Sequence, residues 1–204
     1  MKECCDKIRA WTDRLSSSKI DGWEDLPGID LYMDQVLTIL EKQAEAYLQA
    51  EDIKAITPSM INNYVKDGTI QHPVKKKYGK DHIASLIMLN SAKQVLPISD
   101  ISSLLNKASD EITMAEKYEY FTLIHKKACE AVTEKIHDAL ERVGDQCDSK
   151  QLFILATSMV LEADLMVSAA KMLIRDVLVK QEEKDTKIKP KAKAKAKVMA
   201  KKPI

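Results

Sequence analysis

Apolar residues recur at intervals of three and four along most of the chain, a spacing that predicts an almost entirely helical protein. Only five glycines and six prolines occur in 204 residues, fewer turn-forming residues than a sheet-rich fold needs. Residues 1–25 predict a short helix at most, followed by a loop. Further helices are predicted at 30–47, at 58–67, from about 81, after 97, from 109 to 144 and from 150 to 183.

The segment at 58–67 has the clearest helix start and stop. Thr57 can cap its first turn, Pro58 is well tolerated at the first helical position, and Asp67-Gly68 suits its end. Its apolar residues share one face, and its polar residues share the other. These faces consist of Ile61, Tyr64 and Val65 on one side and of Ser59, Asn62, Asn63 and Lys66 on the other. We therefore expect one side to pack against the protein and the other to be polar and small.

The helices on either side of this segment would support it. Asp30 can cap the preceding helix, whose apolar stripe begins at Ile29 and ends at Tyr47. Another helix is predicted to start near Asp81, and the one after it to be capped by Ser99. The short helix would therefore lie among longer ones.

A hairpin is predicted directly after the short helix. Beyond Gly68 the chain is too short and too interrupted by Pro73 to remain helical, and it then reaches the sequence KKKYGK at residues 75–80. This order predicts a short hairpin, here called the wing, with four cations at its return.

A polar helix face and a cationic wing are the parts that a DNA-binding surface needs. Side-chain amides can pair with adenine in the major groove, and lysines can neutralise backbone phosphates. We predict base contacts from Ser59, Asn62, Asn63 and Lys66, and phosphate contacts from Thr57, Lys75, Lys76, Lys77, Tyr78 and Lys80. Tyr78 could instead pack under the wing. The alternative is a small helical domain with a solvated polar face and a lysine-rich loop.

Three sequence strings in residues 26–105 resemble a known bacterial family. LPGIDLYMDQV, ITPSMINNYVKDG and KKKYGKDHIASLIMLNSAKQVLPISDI are similar to domain-of-unknown-function family 1836. INNYVKDG followed by a wing also resembles the helix-turn-helix of MerR-type regulators, whose recognition helix ends in an aromatic residue and a glycine. The resemblance implies a MerR-like winged helix-turn-helix that binds DNA. Asn62-Asn63 stands where MerR-type proteins often carry an arginine pair, and no cysteine metal-sensing loop follows, so their contact details are not transferred.

The net charge of +1 conceals an uneven distribution. Residues 187–204 carry eight lysines and no acid, which leaves residues 1–186 with a net charge of −7. Within that body, residues 54–100 hold seven lysines against three aspartates, a local charge of +4. Positive charge is therefore concentrated on the predicted DNA-reading segment and on the tail. The low-complexity tail is expected to be disordered, and either to add sequence-independent DNA affinity or to solubilise the protein.

The second long helix, at 150–183, is apolar on nearly all sides and needs cover from more than one direction. A second subunit would supply that cover, so we predict a homodimer through residues 109–184. The alternative is that the long helices fold back on residues 29–105. Glu162 and Asp164 interrupt the apolar run, and we expect them to point outward or to pair locally. Methionines in this region could line a cavity for an unknown small-molecule effector.

No sequence motif indicates catalysis. The four histidines lack the four-residue spacing of a helical metal pair, and no glycine-rich phosphate loop or nucleophile elbow is present. Cys129 lies four residues after His125, at a spacing that would allow a thiolate pair, but no third orienting group is visible. We therefore predict no enzymatic activity, no cofactor and no metal site.

The cysteines and the apolar segments favour a soluble cytoplasmic protein associated with the nucleoid. Four cysteines without a CxxC pair suit a reducing compartment. The N-terminus lacks an apolar core of signal length, and the run at 152–161 is too short for a membrane span. No membrane association is expected.

The sequence thus predicts an all-α protein in four parts. These are an N-terminal extension at 1–25, a winged helix-turn-helix at 26–105, a helical dimerisation and possible effector region at 106–184, and a disordered basic tail at 185–204. The predicted function is that of a sequence-specific DNA-binding transcriptional regulator. Two other functions remain open: a helical adaptor that binds another protein through the long apolar helix, and a nonspecific nucleoid binder that uses its basic tail.

Overall fold

The computed structural model describes residues 2–47, 56–107, 112–143 and 149–178. Within them the chain forms seven α-helices and ends in a π-helical turn. The helices are α1 (Lys2–Ser17), α2 (Met33–Tyr47), α3 (Pro58–Lys66), α4 (Lys80–Ala92), α5 (Ile98–Lys107), α6 (Met114–Val143) and α7 (Ser149–Met172), and α7 continues as the π-turn (Leu173–Leu178). Strand-type pairing in these segments is confined to two isolated bridges. The predicted all-α class is therefore confirmed.

Helix α1 is longer than the short helix predicted for residues 1–25. Thr12 is fully buried, and its hydroxyl donates to the Arg9 carbonyl at 2.7 Å, which satisfies it inside the helix. Cys5 is also buried, and it packs with Trp11 against α6. Two of the inward positions are thus a threonine and a cysteine, and their small size and polarity weakened the hydrophobic pattern that would have predicted the full helix.

Helix α2 begins at Met33, three residues later than Asp30 predicted, because the preceding backbone is extended. The Leu31 N–H donates to the Tyr78 carbonyl at 2.9 Å, and the Tyr78 N–H donates to the Leu31 carbonyl at 2.8 Å. Ile29 lies before this bridge and is 70% exposed, so its predicted place in the apolar stripe is wrong.

Helices α5 and α6 also start differently from the prediction. Ser99 lies inside α5, which begins at Ile98, and so does not cap it. At the start of α6 the Thr113 N–H donates to Glu116 Oε2 at 2.8 Å, and the Glu116 N–H donates to Thr113 Oγ1 at 3.2 Å. This reciprocal cap satisfies two N–H groups of the first turn. The predicted start at 109–111 lies outside the described residues.

Helix α4 occupies the centre of the core. Its residues Ile83–Asn90 are all buried, which means that α4 is covered on every side. Val36 and Leu40 from α2, Ile61 from α3 and Tyr118 from α6 belong to the same cluster. Burial of this many large apolar side chains is the main contribution that holds α2 to α6 together.

The second half of α6 and helix α7 form a smaller cluster with α1. Ile136 and Leu140 of α6 are buried there, and Leu152 and Met159 of α7 pack against them. At the far end of α7, Ile174 of the π-turn is buried beside α5. The end of α7 therefore contacts the region of residues 29–105, as expected if the long helices fold back. The rest of α7 packs on α6 instead.

None of the 24 residues of α7 is buried. Among the described residues, the segment Ser149–Asp176 is the one helix long and apolar enough to cross a membrane, with a mean hydropathy of 1.7 in its most apolar window. Glu162 and Asp164, expected to interrupt the apolar run too soon, do not prevent this. Length and composition of this kind are shared by core helices of soluble proteins. The predicted turn before α7 at 144–148 and the tail at 185–204 lie outside the described residues.

Candidate nucleic-acid interface

Helix α3 has the start and end that its sequence predicts. Thr57 is the N-cap in an extended conformation, and its hydroxyl accepts the Met60 N–H at 3.3 Å. At the other end the Asp67 N–H donates to the Asn63 carbonyl at 2.9 Å. Gly68 then adopts a φ of 79°, which a residue without Cβ enters at little cost. The helix is therefore confined to nine residues by local signals at both ends.

The two faces of α3 divide as predicted. Ile61, Tyr64 and Val65 are buried in the core. Burial, together with the nearby charge of Asp67, raises the pKa of the Tyr64 phenol, so this group stays neutral at physiological pH. The polar face is exposed along its length at Ser59, Asn62, Asn63 and Lys66. No described part of α6 or α7 covers these side chains.

Asn106 of α5 holds the end of α3 in place. Its side-chain amide donates to the carbonyls of Gly68 and Thr69, both at 3.2 Å. The Ile70 N–H also donates to the Tyr64 carbonyl at 2.9 Å, which turns the chain back after the helix. Asn106 was not identified from the sequence, because its partners lie 38 and 37 residues away and no local pattern connects them.

The tip of the wing is a two-residue turn made of lysines. The Val74 N–H donates to the Lys77 carbonyl at 3.1 Å, and the Lys77 N–H donates to the Val74 carbonyl at 2.9 Å. Between them, Lys75 and Lys76 have φ values of 51° and 65°. This is the conformation in which hairpins usually carry Asn-Gly, because each residue with a Cβ pays about 1 kcal/mol to adopt it. Both lysine side chains are exposed.

Tyr78 forms the base of the wing and is only 3% exposed. Its ring meets the His82 ring edge-on, with 5.7 Å between the centroids, and its backbone pairs with Leu31. Burial raises the pKa of the Tyr78 phenol. Of the two roles considered for Tyr78, this position corresponds to packing under the wing, and we leave it out of the proposed phosphate contacts.

The four predicted phosphate-binding lysines belong to two kinds. Lys75 and Lys76 are exposed, whereas Lys77 and Lys80 are half-buried. The Lys77 Nζ lies 5.0 Å from the centroid of the Tyr32 ring, and the Lys80 Nζ lies 4.8 Å from that of Trp23. An ammonium over an aromatic face is held by the ring quadrupole. Lys77 and Lys80 are thus each held against an aromatic ring, whereas Lys75 and Lys76 are exposed at the turn.

The His125 and Cys129 pair does not have the electrostatics of a nucleophilic site. The Sγ of Cys129 lies 3.8 Å from both ring nitrogens of His125. Burial raises the pKa of the Cys129 thiol and lowers the pKa of the His125 imidazole, so both groups are kept neutral. Cys129 is a free thiol and is buried.

A surface groove lies on the side of α6 that faces the loop after α1. Its volume is about 670 Å³, and it is lined by Ser18, Lys19, Glu119, Leu123 and His125 among others. Its walls mix two acids, Asp25 and Glu119, with the cations Lys19 and Lys126, so neither sign of charge dominates the lining. Within the part of the chain that the structure describes, no three His, Cys, Asp or Glu side chains lie together in a way that could hold a metal ion.

A family model matches the part of the chain that contains the candidate interface. A family model described as "Domain of unknown function (DUF1836)" matches residues 21–122. This range contains helices α2 to α5, the wing and the start of α6, and it ends before α7. No curated protein and no solved structure matches the chain. The family model covers half of the 204 residues, and the chain therefore belongs to the DUF1836 family.

Proposed function

We propose that this protein is a sequence-specific DNA-binding transcriptional regulator of the cytoplasm, with a MerR-like winged helix-turn-helix in residues 26–105. In this proposal α2 is the first helix of the motif, α3 is the recognition helix, and the bridge from Val74 to Lys77 is the wing. Helix α4 supports all three from the core.

The lysine turn at the wing tip supports this proposal most. Lys75 and Lys76 have positive φ angles, a conformation in which Asn-Gly would be more stable. Such backbone strain is common at functional sites, where the side chain at the strained position is needed. The result is two adjacent cations at the most projecting point of the hairpin, with both side chains exposed. Cations so presented are suited to backbone phosphates, which dominate the affinity of proteins for DNA.

The polar face of α3 supplies the groups that sequence recognition needs. Asn62 and Asn63 are exposed on a helix whose other face is anchored in the core. An asparagine amide can pair with adenine in bidentate fashion, because its NH₂ group donates to N7 and its carbonyl oxygen accepts from N6–H, and Lys66 can donate to the acceptors of guanine. Because Asn106 fixes the end of α3, these side chains are held on a rigid support.

Charge distribution supports the same surface. Residues 54–100 carry a net charge of +4 in a body whose net charge is −7 over residues 1–186. The remainder of the body therefore repels the phosphate backbone, and a duplex is directed toward α3 and the wing. This orientation is an electrostatic effect that weakens as the ionic strength rises.

The test is a salt titration of DNA binding by the full chain, using fragments selected from random-sequence DNA. K75A/K76A should lower the slope of log K against log salt by about 1.8, at about 0.9 for each phosphate contact. N62A/N63A should reduce affinity for the selected sequence by about 1–3 kcal/mol per lost base pairing and leave the affinity for scrambled DNA unchanged. K126A/K127A removes two adjacent exposed lysines of α6 and is the matched control.

The uncovered face of α7 favours one competing function, that of a protein-binding adaptor. If K75A/K76A behaves like K126A/K127A and N62A/N63A has the same effect on both DNA sequences, the DNA-reading proposal is wrong and the adaptor is favoured. A deletion of residues 187–204 that abolishes all DNA affinity would instead favour nonspecific nucleoid binding by the tail.

A further inference from the structure

The groove between the loop after α1 and the middle of α6 has an acidic end. There Glu119 Oε1 accepts the Trp23 N–H at 2.9 Å, and Asp25 Oδ2 accepts the Gly22 N–H at 3.2 Å. Because these two N–H groups belong to consecutive residues, both carboxylates are held at the same place on the loop. Each carboxylate has a second oxygen, and both residues are exposed. This end is therefore suited to an ammonium group.

The opposite end of the same groove is basic. Lys19 and Lys126 line it, and both are exposed. Ser18, which precedes Lys19, lies beside Cys129, and Cys129 is three residues beyond Lys126 on the same side of α6. Lys126 also lies 3.8 Å from Glu130, but this ion pair is exposed and a carboxylate ligand can replace it at small cost.

Two turns of α6 separate the charged ends. Glu119 and Lys126 are seven residues apart, which places their backbones about 10 Å from each other at about 1.5 Å per residue. Between them Leu123 is 49% exposed, and Ile20 of the facing loop is buried, so the middle of the groove offers apolar surface. An extended peptide advances about 3.3 Å per residue, so three residues span the same distance.

The loop wall also offers hydrogen-bonding groups to a peptide backbone. The Ser18 hydroxyl oxygen is buried and lacks a hydrogen bond of ordinary geometry, although the Cys129 thiol lies beside it. The backbone N–H groups of Lys19 and Ile20 have no hydrogen-bond partner within the described residues. An extended segment can pair with such groups as an added strand does.

We infer that this groove binds a short peptide of about three residues with free termini. Its ammonium group lies between Asp25 and Glu119, and its carboxylate lies between Lys19 and Lys126. The central side chain packs on Leu123, so an apolar residue is favoured there. Complementary charge at both ends fixes the direction of the peptide in the groove. This site is separate from α3 and the wing, and it goes beyond the proposed reading of DNA.

The test is a calorimetric titration of the full chain, without DNA, with the tripeptide Ala-Leu-Ala and its two end-blocked forms. N-acetylation removes the ammonium group, and C-terminal amidation removes the carboxylate. Each should weaken binding at least about tenfold, because a charged end of the groove loses its partner. Free leucine is too short to reach both ends and should bind at least about tenfold more weakly than Ala-Leu-Ala.

Variants of the two ends test the direction of the peptide. D25N/E119Q retains oxygens that accept the same backbone N–H groups, so the loop keeps its position. It should weaken the free tripeptide about tenfold and leave the N-acetylated form unchanged. K19M/K126M keeps the aliphatic stems and should weaken the free tripeptide about tenfold, but leave the amidated form unchanged.

Controls separate a specific site from general attraction of charge. E24Q/E134Q and K127M change exposed charges outside the groove lining and should bind every peptide as the wild type does. Circular dichroism checks the helix content of each variant, and the comparison of blocked peptides needs only the wild type. No binding of Ala-Leu-Ala at millimolar concentration, equal binding of the free and blocked peptides, or end variants that weaken every peptide equally would overturn the inference. DNA affinity is measured separately in the salt titration, so failure of either proposal leaves the other standing.

Discussion

Arg175 and Asp100 form a bidentate ion pair between segments 75 residues apart in sequence. The Arg175 Nε donates to Asp100 Oδ1 at 3.0 Å, and Nη2 donates to Oδ2 at 2.8 Å. The Asp100 side chain is only 7% exposed, whereas that of Arg175 is 58% exposed. The hydrogen bonds that Arg175 donates to Asp100 raise the pKa of Arg175 further above its ordinary value. The pair attaches the π-turn to α5, and α5 in turn holds the end of α3 through Asn106.

Removing Arg175 should destabilise the attachment of α7 more than the loss of an exposed ion pair does elsewhere in the protein. R175L leaves the nearly buried Asp100 carboxylate without its partner, and an unpaired buried charge is destabilising. We expect a lower melting temperature and faster hydrogen exchange in the π-turn. R142L is the matched control, because Arg142 meets Asp138 at an exposed site. Equal effects of the two substitutions would show that the Arg175 pair has no special role.

Substitution of the wing-tip lysines should change stability and DNA affinity in opposite directions. K75N/K76G supplies the residues that this turn prefers, so we expect the free energy of unfolding to rise by about 1–2 kcal/mol. The same change removes two cations and should weaken DNA binding as K75A/K76A does. Urea denaturation measures the first effect, and the salt titration measures the second. A fall in stability would contradict the turn geometry described here.

Lys80 should contribute to stability more than to DNA affinity. K80M keeps the aliphatic stem against Trp23 and removes the charge above the ring. We expect the free energy of unfolding to fall by about 0.5–1 kcal/mol. The change in salt slope should be smaller than that caused by K75A alone. K19M, at an exposed lysine, should leave both quantities unchanged. A full unit of slope lost in K80M would mean that Lys80 leaves Trp23 to bind phosphate.

Acid should destabilise the protein partly through His125. Burial lowers the pKa of His125 in the folded state, whereas the unfolded chain binds this proton near pH 6.5. The unfolded state therefore holds more protons below about pH 6.5, and stability falls as the pH drops from there through the folded-state pKa. H125Q should show a shallower loss between pH 7.5 and 5 in urea denaturation. H72Q, at an exposed histidine, should follow the wild type.

Local signals account for the parts of the fold that were predicted well. Thr57, Pro58 and Gly68 determine the start and end of α3 within a few residues of chain, and the apolar positions Ile61 and Tyr64 determine which face packs. These interactions depend on neighbours in sequence. The prediction of residues 1–25 failed because the buried face of α1 includes Thr12, whose burial depends on its position against α6.

The sequence predicted which residues form the candidate DNA surface, and the structure separated its lysines into two pairs with different environments. From the sequence, all four lysines at 75–80 were predicted to contact backbone phosphates. Only the folded chain distinguishes Lys75 and Lys76, in a strained and exposed turn, from Lys77 and Lys80, which lie over Tyr32 and Trp23. The distinction depends on aromatic rings far from the wing in sequence, and no pattern within the wing could have revealed it.

By itself the sequence determined that this protein is helical, where its short capped helix begins and ends, and that its last long helix is too apolar to be covered by one neighbour. The tertiary structure alone decided which side of α7 remains open, how Asn106 and Arg175 connect distant helices, and which lysines are available to a ligand. Capping and periodicity act over three or four residues and can be read along the chain. Burial and pairing arise between segments that only the folded chain brings together, because they depend on where each helix packs.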